Sequence, residues 1–147
     1  EPGILFTERQ FGLLELHSSD RQELDAAGKA ILKGIGAKED DQLAPNVLFD
    51  DIIEDLSDQH AIILNRSRSA SMLVPGESLL LSEVTPALFA CVAANEAERA
   101  APDAVLNDVQ MMGVSGRIFM SGTVAGLEIA RTAINTALAS VQGRPND

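Results

Sequence analysis

SLLLSEVTPALFACVAANEAERAA, residues 78–101, carries the clearest secondary-structure signal in this chain. Residues 78–84 are strongly apolar, the pattern of a buried strand. Thr85–Pro86 then offers a hydroxyl N-cap and a proline at the first helical position, so we expect a helix that stops before Pro102. The segment predicts a strand followed at once by an alanine-rich helix.

The sequence beyond residue 101 predicts a hairpin and a last helix. Residues 105–112 and 117–121 have strand patterns, and the small residues 113–116 (GVSG) between them favour a tight turn. Gly122 and Thr123 can cap a helix. One apolar stripe at helical spacing follows: Leu127, Ala130, Ile134, Leu138 and Val141. The predicted order is therefore strand, helix, hairpin, helix.

The first 37 residues predict a hairpin and a helix. Residues 4–7 and 11–17 have extended patterns, and the polar residues between them indicate a turn. Residues 18–20 (SSD) supply N-cap chemistry. The expected helix has one apolar stripe, formed by Leu24, Ala27, Ile31 and Ile35, and the glycines at 34 and 36 end it.

Residues 45–74 predict a second helix and two more strands. After Pro45, apolar residues between 47 and 56 are expected on one face of a short amphipathic helix. Asp50, Asp51, Glu54 and Asp55 are then expected on its solvated face. Residues 61–64 and 70–74 predict strands joined by a polar connection.

An internal repeat is visible in these patterns. Residues 8–35 and 112–138 share one plan of turn, glycine, strand, polar cap and amphipathic helix, with Gly12 in the place of Gly116. The first copy lacks a counterpart of residues 78–101. We therefore expect the first repeat to be incomplete, with further sequence upstream or a second chain supplying the rest.

Composition excludes several classes of partner. The 147 residues carry a net charge of −11, from 22 acidic and 11 basic residues, and contain no Trp and no Tyr. An acidic surface repels phosphate backbones and the chain lacks stacking aromatics, so nucleic acid is not an expected partner. No apolar run approaches the roughly 20 residues of a membrane span, and no signal peptide is recognisable. We expect no membrane partner and a cytoplasmic location.

Catalytic and metal-binding patterns are weak throughout. Cys91 is the one cysteine and is expected to be a small buried residue. Ser115 lacks the Gly-x-Ser-x-Gly spacing of a nucleophile elbow. The acidic residues between 40 and 55 lack the spacing of a calcium loop. We predict no enzyme, no cofactor and no metal site.

Residues 78–83 followed by 93–101 (AANEAERAA) resemble the domain of bacterial microcompartment (BMC) shell proteins. A longer match, which includes residues 7–17 (TERQFGLLELH), 63–66 and 73–78, resembles the tandem-domain, trimer-forming shell proteins of carboxysomes. The resemblance implies an α/β (α+β) BMC fold, an antiparallel sheet flanked by helices, circularly permuted and repeated. Residues 1–37 are then the C-terminal part of a first BMC repeat, and residues 38–147 are the second, permuted domain.

The resemblance implies a structural tile rather than an enzyme. Three chains with two BMC repeats each are expected to form a pseudohexameric ring with a central pore, and some members of the family stack two rings face to face. The implied partners are further copies in a homotrimer, other shell proteins, and small metabolites that cross the pore. The implied location is the shell of a microcompartment.

The resemblance also assigns site residues. From the residues alone, Glu8 and Arg9 indicate an exposed turn, whereas the family places such a pair at the pore as a gate. The expected pore-lining residues are Glu8, Arg9, Gln10, Gly113, Val114 and Ser115. The expected tile-edge residues are Arg99, Asn65 and Arg66. Arg99 stands where the family usually has Lys, which keeps the charge but changes the hydrogen-bonding geometry.

Two other functions remain open from the residues. A small-molecule-binding regulatory module could use the same compact repeats at a subunit interface. An enzyme subunit could use a carboxylate such as Asp50 or Glu54. The two alternatives differ from a shell tile in their assembly state and in turnover.

Overall fold

The computed structural model of the chain describes residues 2–8, 11–66 and 71–145, with side chains from residue 14 onward. The chain divides into two compact units. Unit 1 comprises residues 1–44 and 142–147, and unit 2 comprises residues 45–141.

Unit 1 contains a hairpin and a helix. Strands β1 (Pro2–Glu8) and β2 (Phe11–Leu16) are antiparallel, and helix α1 (Arg21–Ile35) follows. The Asp20 carboxylate caps α1 by accepting a hydrogen bond from the Gln22 amide at 2.8 Å. Gly36, with φ at 73°, ends the helix in the left-handed conformation that glycine favours. The predicted hairpin and helix are confirmed, although Gly34 lies inside the helix.

The apolar stripe of α1 is incompletely covered. Leu24, Ala27 and Ile31 are half-buried and Ile35 is 72% exposed, so no residue of α1 is buried. A 3-10 turn at Glu39–Asp41 follows, and residues 142–145 return to pair with residues 42–44. Unit 1 therefore leaves its helix with an exposed apolar face.

Unit 2 is a four-stranded antiparallel sheet with three helices. Its strands are β3 (Asn46–Ile53), β4 (Ser78–Thr85), β5 (Val105–Met112) and β6 (Ser115–Gly122), in the spatial order β3-β4-β6-β5. Its helices are α2 (Asp58–Asn65), α3 (Phe89–Ala100) and α4 (Val124–Ala139). The hairpin and the last helix match the sequence-based predictions.

Two hydrophobic clusters lie on the two faces of this sheet. Successive residues of a strand point to opposite faces, so Leu80 packs with α3 and α4 while Leu79 packs with α2. The inner face of α3 is made of small side chains: Ala90, Ala93, Ala94 and Ala97, each at most 3% exposed. The predicted stripe of α4 is buried from Leu127 to Leu138, whereas Val141 lies beyond the helix end.

Predictions for the middle of the chain are wrong. Residues 46–53 form strand β3 rather than an amphipathic helix, because they pair with the free side of β4 along their whole length. Residues 61–64 belong to helix α2, which the Ser57 hydroxyl caps by accepting from the His60 amide at 3.3 Å. Residues 71–74 form no regular element.

Two smaller expectations for residues 78–101 are wrong. Thr85 stays in β4 opposite Asn46, so α3 begins only at Phe89 and Thr85 does not cap it. Cys91 is exposed on α3, not buried, since the alanine face of that helix takes the inner positions. Among the described residues, no helix is long and apolar enough to cross a membrane.

A substitution at Gly116 tests how closely α3 packs on the sheet. A Cβ at this position would lie 2.6 Å from the Ala90 Cβ and against the Ala87 carbonyl oxygen, which cannot move without shifting the start of α3. We expect Gly116→Ala to destabilise the protein by about 1–3 kcal/mol, measured by chemical denaturation.

Gly34→Ala is the matched control. A Cβ there meets nothing within 4 Å, and the position is helical and exposed. Because alanine favours the helix by roughly 0.5–1 kcal/mol, this variant is expected to be as stable as the parent or more so. Equal stability of the Gly116→Ala variant and the parent would contradict the packing argument.

Candidate functional site

The β5–β6 hairpin ends in a two-residue turn, Gly113 and Val114. Met112 pairs with Ser115 across it, and Gly113 has φ at 64°. A glycine with positive φ at the first central position is the requirement of a type II′ turn, which matches the twist of a hairpin. Val114, at the tip, is 52% exposed. The turn predicted at residues 113–116 is confirmed.

Glu83 connects this turn to the centre of the sheet. Its carboxylate accepts a hydrogen bond from the Ser115 hydroxyl at 2.6 Å and one from Arg117 Nε at 3.0 Å. The side chain of Glu83 is 22% exposed and that of Arg117 is 39% exposed. The Ser115 hydrogen bond is the main cause that lowers the pKa of Glu83, and the hydrogen bond and charge of Arg117 act in the same direction against the effect of burial.

Two further contacts hold the turn. The Thr85 hydroxyl donates to the Val114 carbonyl oxygen at 3.0 Å. On the opposite face of the sheet, Gly116 lies against Ala87 and Ala90 with no room for a side chain. The tip is therefore fixed by β4 on one face of the sheet and by the start of α3 on the other.

A second charged cluster joins β3 to α4. Asp50 Oδ2 accepts from Arg131 Nε at 3.2 Å and from Asn135 Nδ2 at 2.7 Å, and the Asp50 side chain is only 12% exposed. Its Oδ1 and the hydroxyl of its cross-strand partner Ser82 are buried and have no hydrogen-bond partner among the residues that the structure describes. Asp50 therefore anchors an edge strand and does not lie on a solvated helix face as expected.

The expected pore residues fall in both units. Glu8 is the last residue of β1 in unit 1, and Arg9 and Gln10 lie outside the described residues. In unit 2, Val114 presents an exposed side chain, whereas Ser115 is 7% exposed and bonded to Glu83. Sequence reasoning missed Glu83, although it is the single charge in the apolar run SLLLSEVT.

The expected edge residues have different local settings. The Arg99 side chain, in the last turn of α3, is 73% exposed and lies 3.4 Å from Glu96. Asn65 ends α2, and its amide donates to the Leu73 carbonyl and accepts from the Leu73 amide, both at 2.9 Å. Arg66 is exposed just beyond α2, so Asn65 and Arg66 lie at the end of a helix and not in a connection between two strands as expected.

No metal site is formed by the part of the chain that the structure describes: nowhere in it do three His, Cys, Asp or Glu side chains converge. The charged groups at the turn instead pair with one another. The arrangement fixes a hairpin tip and presents an aliphatic side chain, which suits a structural surface better than bond-making chemistry.

Comparison with known proteins decides the family. Over 143 residues the chain is 39% identical to the carboxysome shell protein CcmP of Synechococcus elongatus, covering 97% of this chain and 67% of the relative. This chain belongs to the bacterial microcompartment shell proteins. Carboxysome shell protein CsoS1D of Hydrogenovibrio crunogenus is 35% identical over 92% of the chain and 66% of its own length. The family profile of the CsoS1D N-terminal domain matches residues 1–41.

Solved structures of two microcompartment shell proteins are also similar to this shell protein. A double-ringed trimeric shell protein from the RMM microcompartment is 55% identical with a TM-score of 0.95, covering 99% of this chain and 72% of the other. A fused, permuted hexameric shell protein from the same microcompartment is 44% identical with a TM-score of 0.89, covering 97% and 69%. This shell protein thus spans about two thirds of the length of its relatives.

Several sequence-based predictions are confirmed by these relatives. The fold is a circularly permuted BMC fold, and the protein is a structural component of a microcompartment shell rather than an enzyme. The assignment of residues 1–37 to an incomplete first repeat, and the roles of the pore and edge residues, stay predictions.

The pH dependence of stability tests the Glu83 cluster. The folded state lowers the pKa of Glu83 below its ordinary value of 4.5. The stabilisation that Glu83 gains from Ser115 and Arg117 is therefore fully present above that pH. This contribution is lost as the pH falls through the lowered folded value. We expect Glu83→Gln to reduce Tm most at neutral pH, with the difference from the parent shrinking below about pH 4.5.

Glu98→Gln is the control, since Glu98 is an exposed carboxylate on the same unit. Its Tm is expected to follow that of the parent at every pH. A Tm difference between the Glu83→Gln variant and the parent that stays constant from neutral pH to strongly acidic pH would contradict the assignment.

Proposed function

We propose that this shell protein forms a pseudohexameric trimer tile with a central, gated pore for small metabolites. The observation that carries the proposal is its similarity, at 55% identity over 99% of the chain, to a double-ringed trimeric shell protein. Most soluble oligomers are closed and symmetric, and identity at this level supports the same kind of closed ring.

The two units support a tandem design. β1, β2 and α1 in unit 1 repeat the order of β5, β6 and α4 in unit 2. Helix α4 is buried by the sheet and by α3, whereas α1 has no buried residue. We therefore assign residues 1–37 to the C-terminal part of a first BMC repeat, whose helix is covered in the assembled tile, and residues 38–147 to the second domain.

The pore is proposed to be lined by the two hairpin turns. Glu8, Arg9 and Gln10 come from the first repeat, and Gly113, Val114 and Ser115 come from the second. Around a three-fold axis, each Glu8 can pair with an arginine of a neighbouring copy to close the pore. Exposed ion pairs contribute roughly 0–1 kcal/mol, so closed and open arrangements have similar free energies.

The tile edge is proposed to include Arg99, Asn65 and Arg66. Arg99 is highly exposed, and its contact with Glu96 is long for an ion pair. Breaking that contact costs little. The guanidinium is therefore available to other shell proteins that dock beside the tile.

Native mass of the full-length shell protein tests the assembly. We expect a trimer, or a hexamer made of two stacked trimers, in native mass spectrometry and analytical ultracentrifugation across a wide concentration range. A stable monomer or dimer would overturn the tile and favour a small-molecule-binding module.

The gate is tested by the double substitution Glu8→Ala with Arg9→Ala. Because it removes the charges that close the pore, we expect faster passage of small charged metabolites through assembled shells, with the trimer mass unchanged. Lys38→Ala with Glu39→Ala is a matched control, since it removes an adjacent exposed pair of opposite charge elsewhere in unit 1. Unchanged permeability and pore width in the Glu8, Arg9 variant would remove these residues from the gate.

A further inference from the structure

Two side chains of strand β4 form hydrogen bonds with Val114 and Ser115, at the Gly113–Val114 turn. Glu83 and Thr85 are two residues apart and so lie on one face of the strand. Glu83 accepts from the Ser115 hydroxyl at 2.6 Å, and Thr85 donates to the Val114 carbonyl at 3.0 Å. A turn held only by its own strands would have neither contact.

Next to the turn, the opposite face of the sheet is closely packed against the start of α3. Gly116 lies against the start of α3, where Ala90 and the Ala87 carbonyl leave no space for a Cβ. The second oxygen of Glu83 accepts from Arg117 Nε, which fixes the carboxylate itself. Hydrogen bonds to a charged acceptor are stronger than those between neutral groups, so Glu83 dominates this arrangement.

We propose that Glu83 is a positioning residue that holds the Gly113–Val114 turn rigid, so that Val114 forms a fixed, uncharged part of the pore wall. The inference rests on the proposed pore and adds to it a residue that lies outside the lining set. Glu83 also neutralises the charge of Arg117 beside the turn. The wall formed by the second repeat is then aliphatic and neutral at this turn.

Hydrogen exchange of the turn amides in the assembled full-length protein is the direct test. Loss of a hydrogen bond to a carboxylate is expected to raise exchange in peptides spanning residues 112–117 about tenfold in the Glu83→Ala variant. Ser115→Ala removes only the bond on the turn side and leaves the Glu83–Arg117 pair, so it is expected to give a similar increase. Glu83→Gln keeps one oxygen acceptor and is expected to give a smaller one.

Asp50→Ala is the matched control, because it also removes the acidic partner of an arginine in unit 2. It is expected to raise exchange in β3 and α4 and to leave the turn within about twofold of the parent, since loss of the Asp50 contacts does not touch the turn. Equal exchange at the turn in the Glu83→Ala variant and the parent overturns the positioning role. If the Glu83→Ala variant does not fold, the Ser115→Ala variant decides the question by the same criterion.

Metabolite permeability of the same variants separates the two proposals. Faster turn exchange together with altered permeability supports both the positioning role and the place of this turn in the pore. Faster exchange with unchanged permeability supports the positioning role of Glu83 and removes the Gly113–Val114 turn from the pore wall.

Discussion

Unit 2 depends on the burial of strand β4 on both faces. Leu79, Leu80 and Val84 are each at most 1% exposed, in two separate clusters. β3 and β6 hydrogen-bond to its two sides. Full burial of a large apolar side chain contributes roughly 1.5–3 kcal/mol, so this short strand supplies a large share of the stability of the domain. The rest of unit 2 is arranged around it.

The close packing of α3 on the sheet follows from the central position of β4. The alanine face of α3 and the absence of a side chain at Gly116 let the helix approach the sheet to backbone contact. The same strand carries one charge, Glu83, which is tolerated because Ser115 and Arg117 satisfy it. In the proposed tile, the position of the hairpin tip is fixed through these contacts with the core of unit 2.

In unit 1, by contrast with unit 2, the helix is not buried. Its hairpin and helix follow the same order as β5, β6 and α4, yet α1 remains without a buried residue. Exposed apolar side chains also occur in unit 2, among them Met112, Val114 and Ile129. Large apolar surface on a described unit is typical of proteins that complete their packing by assembly.

Local pattern alone determined the hairpins, helices α1 and α4, and the motifs that mark the shell-protein family, because turn chemistry and helical spacing act between near neighbours in sequence. Tertiary structure decided the rest. An apolar run such as residues 46–53 fits a helix or a strand by its spacing, and the open side of β4 selected the strand. The arginine partners of Glu83 and Asp50 lie 34 and 81 residues away, so only the paired sheet and its packed helix bring those charges together.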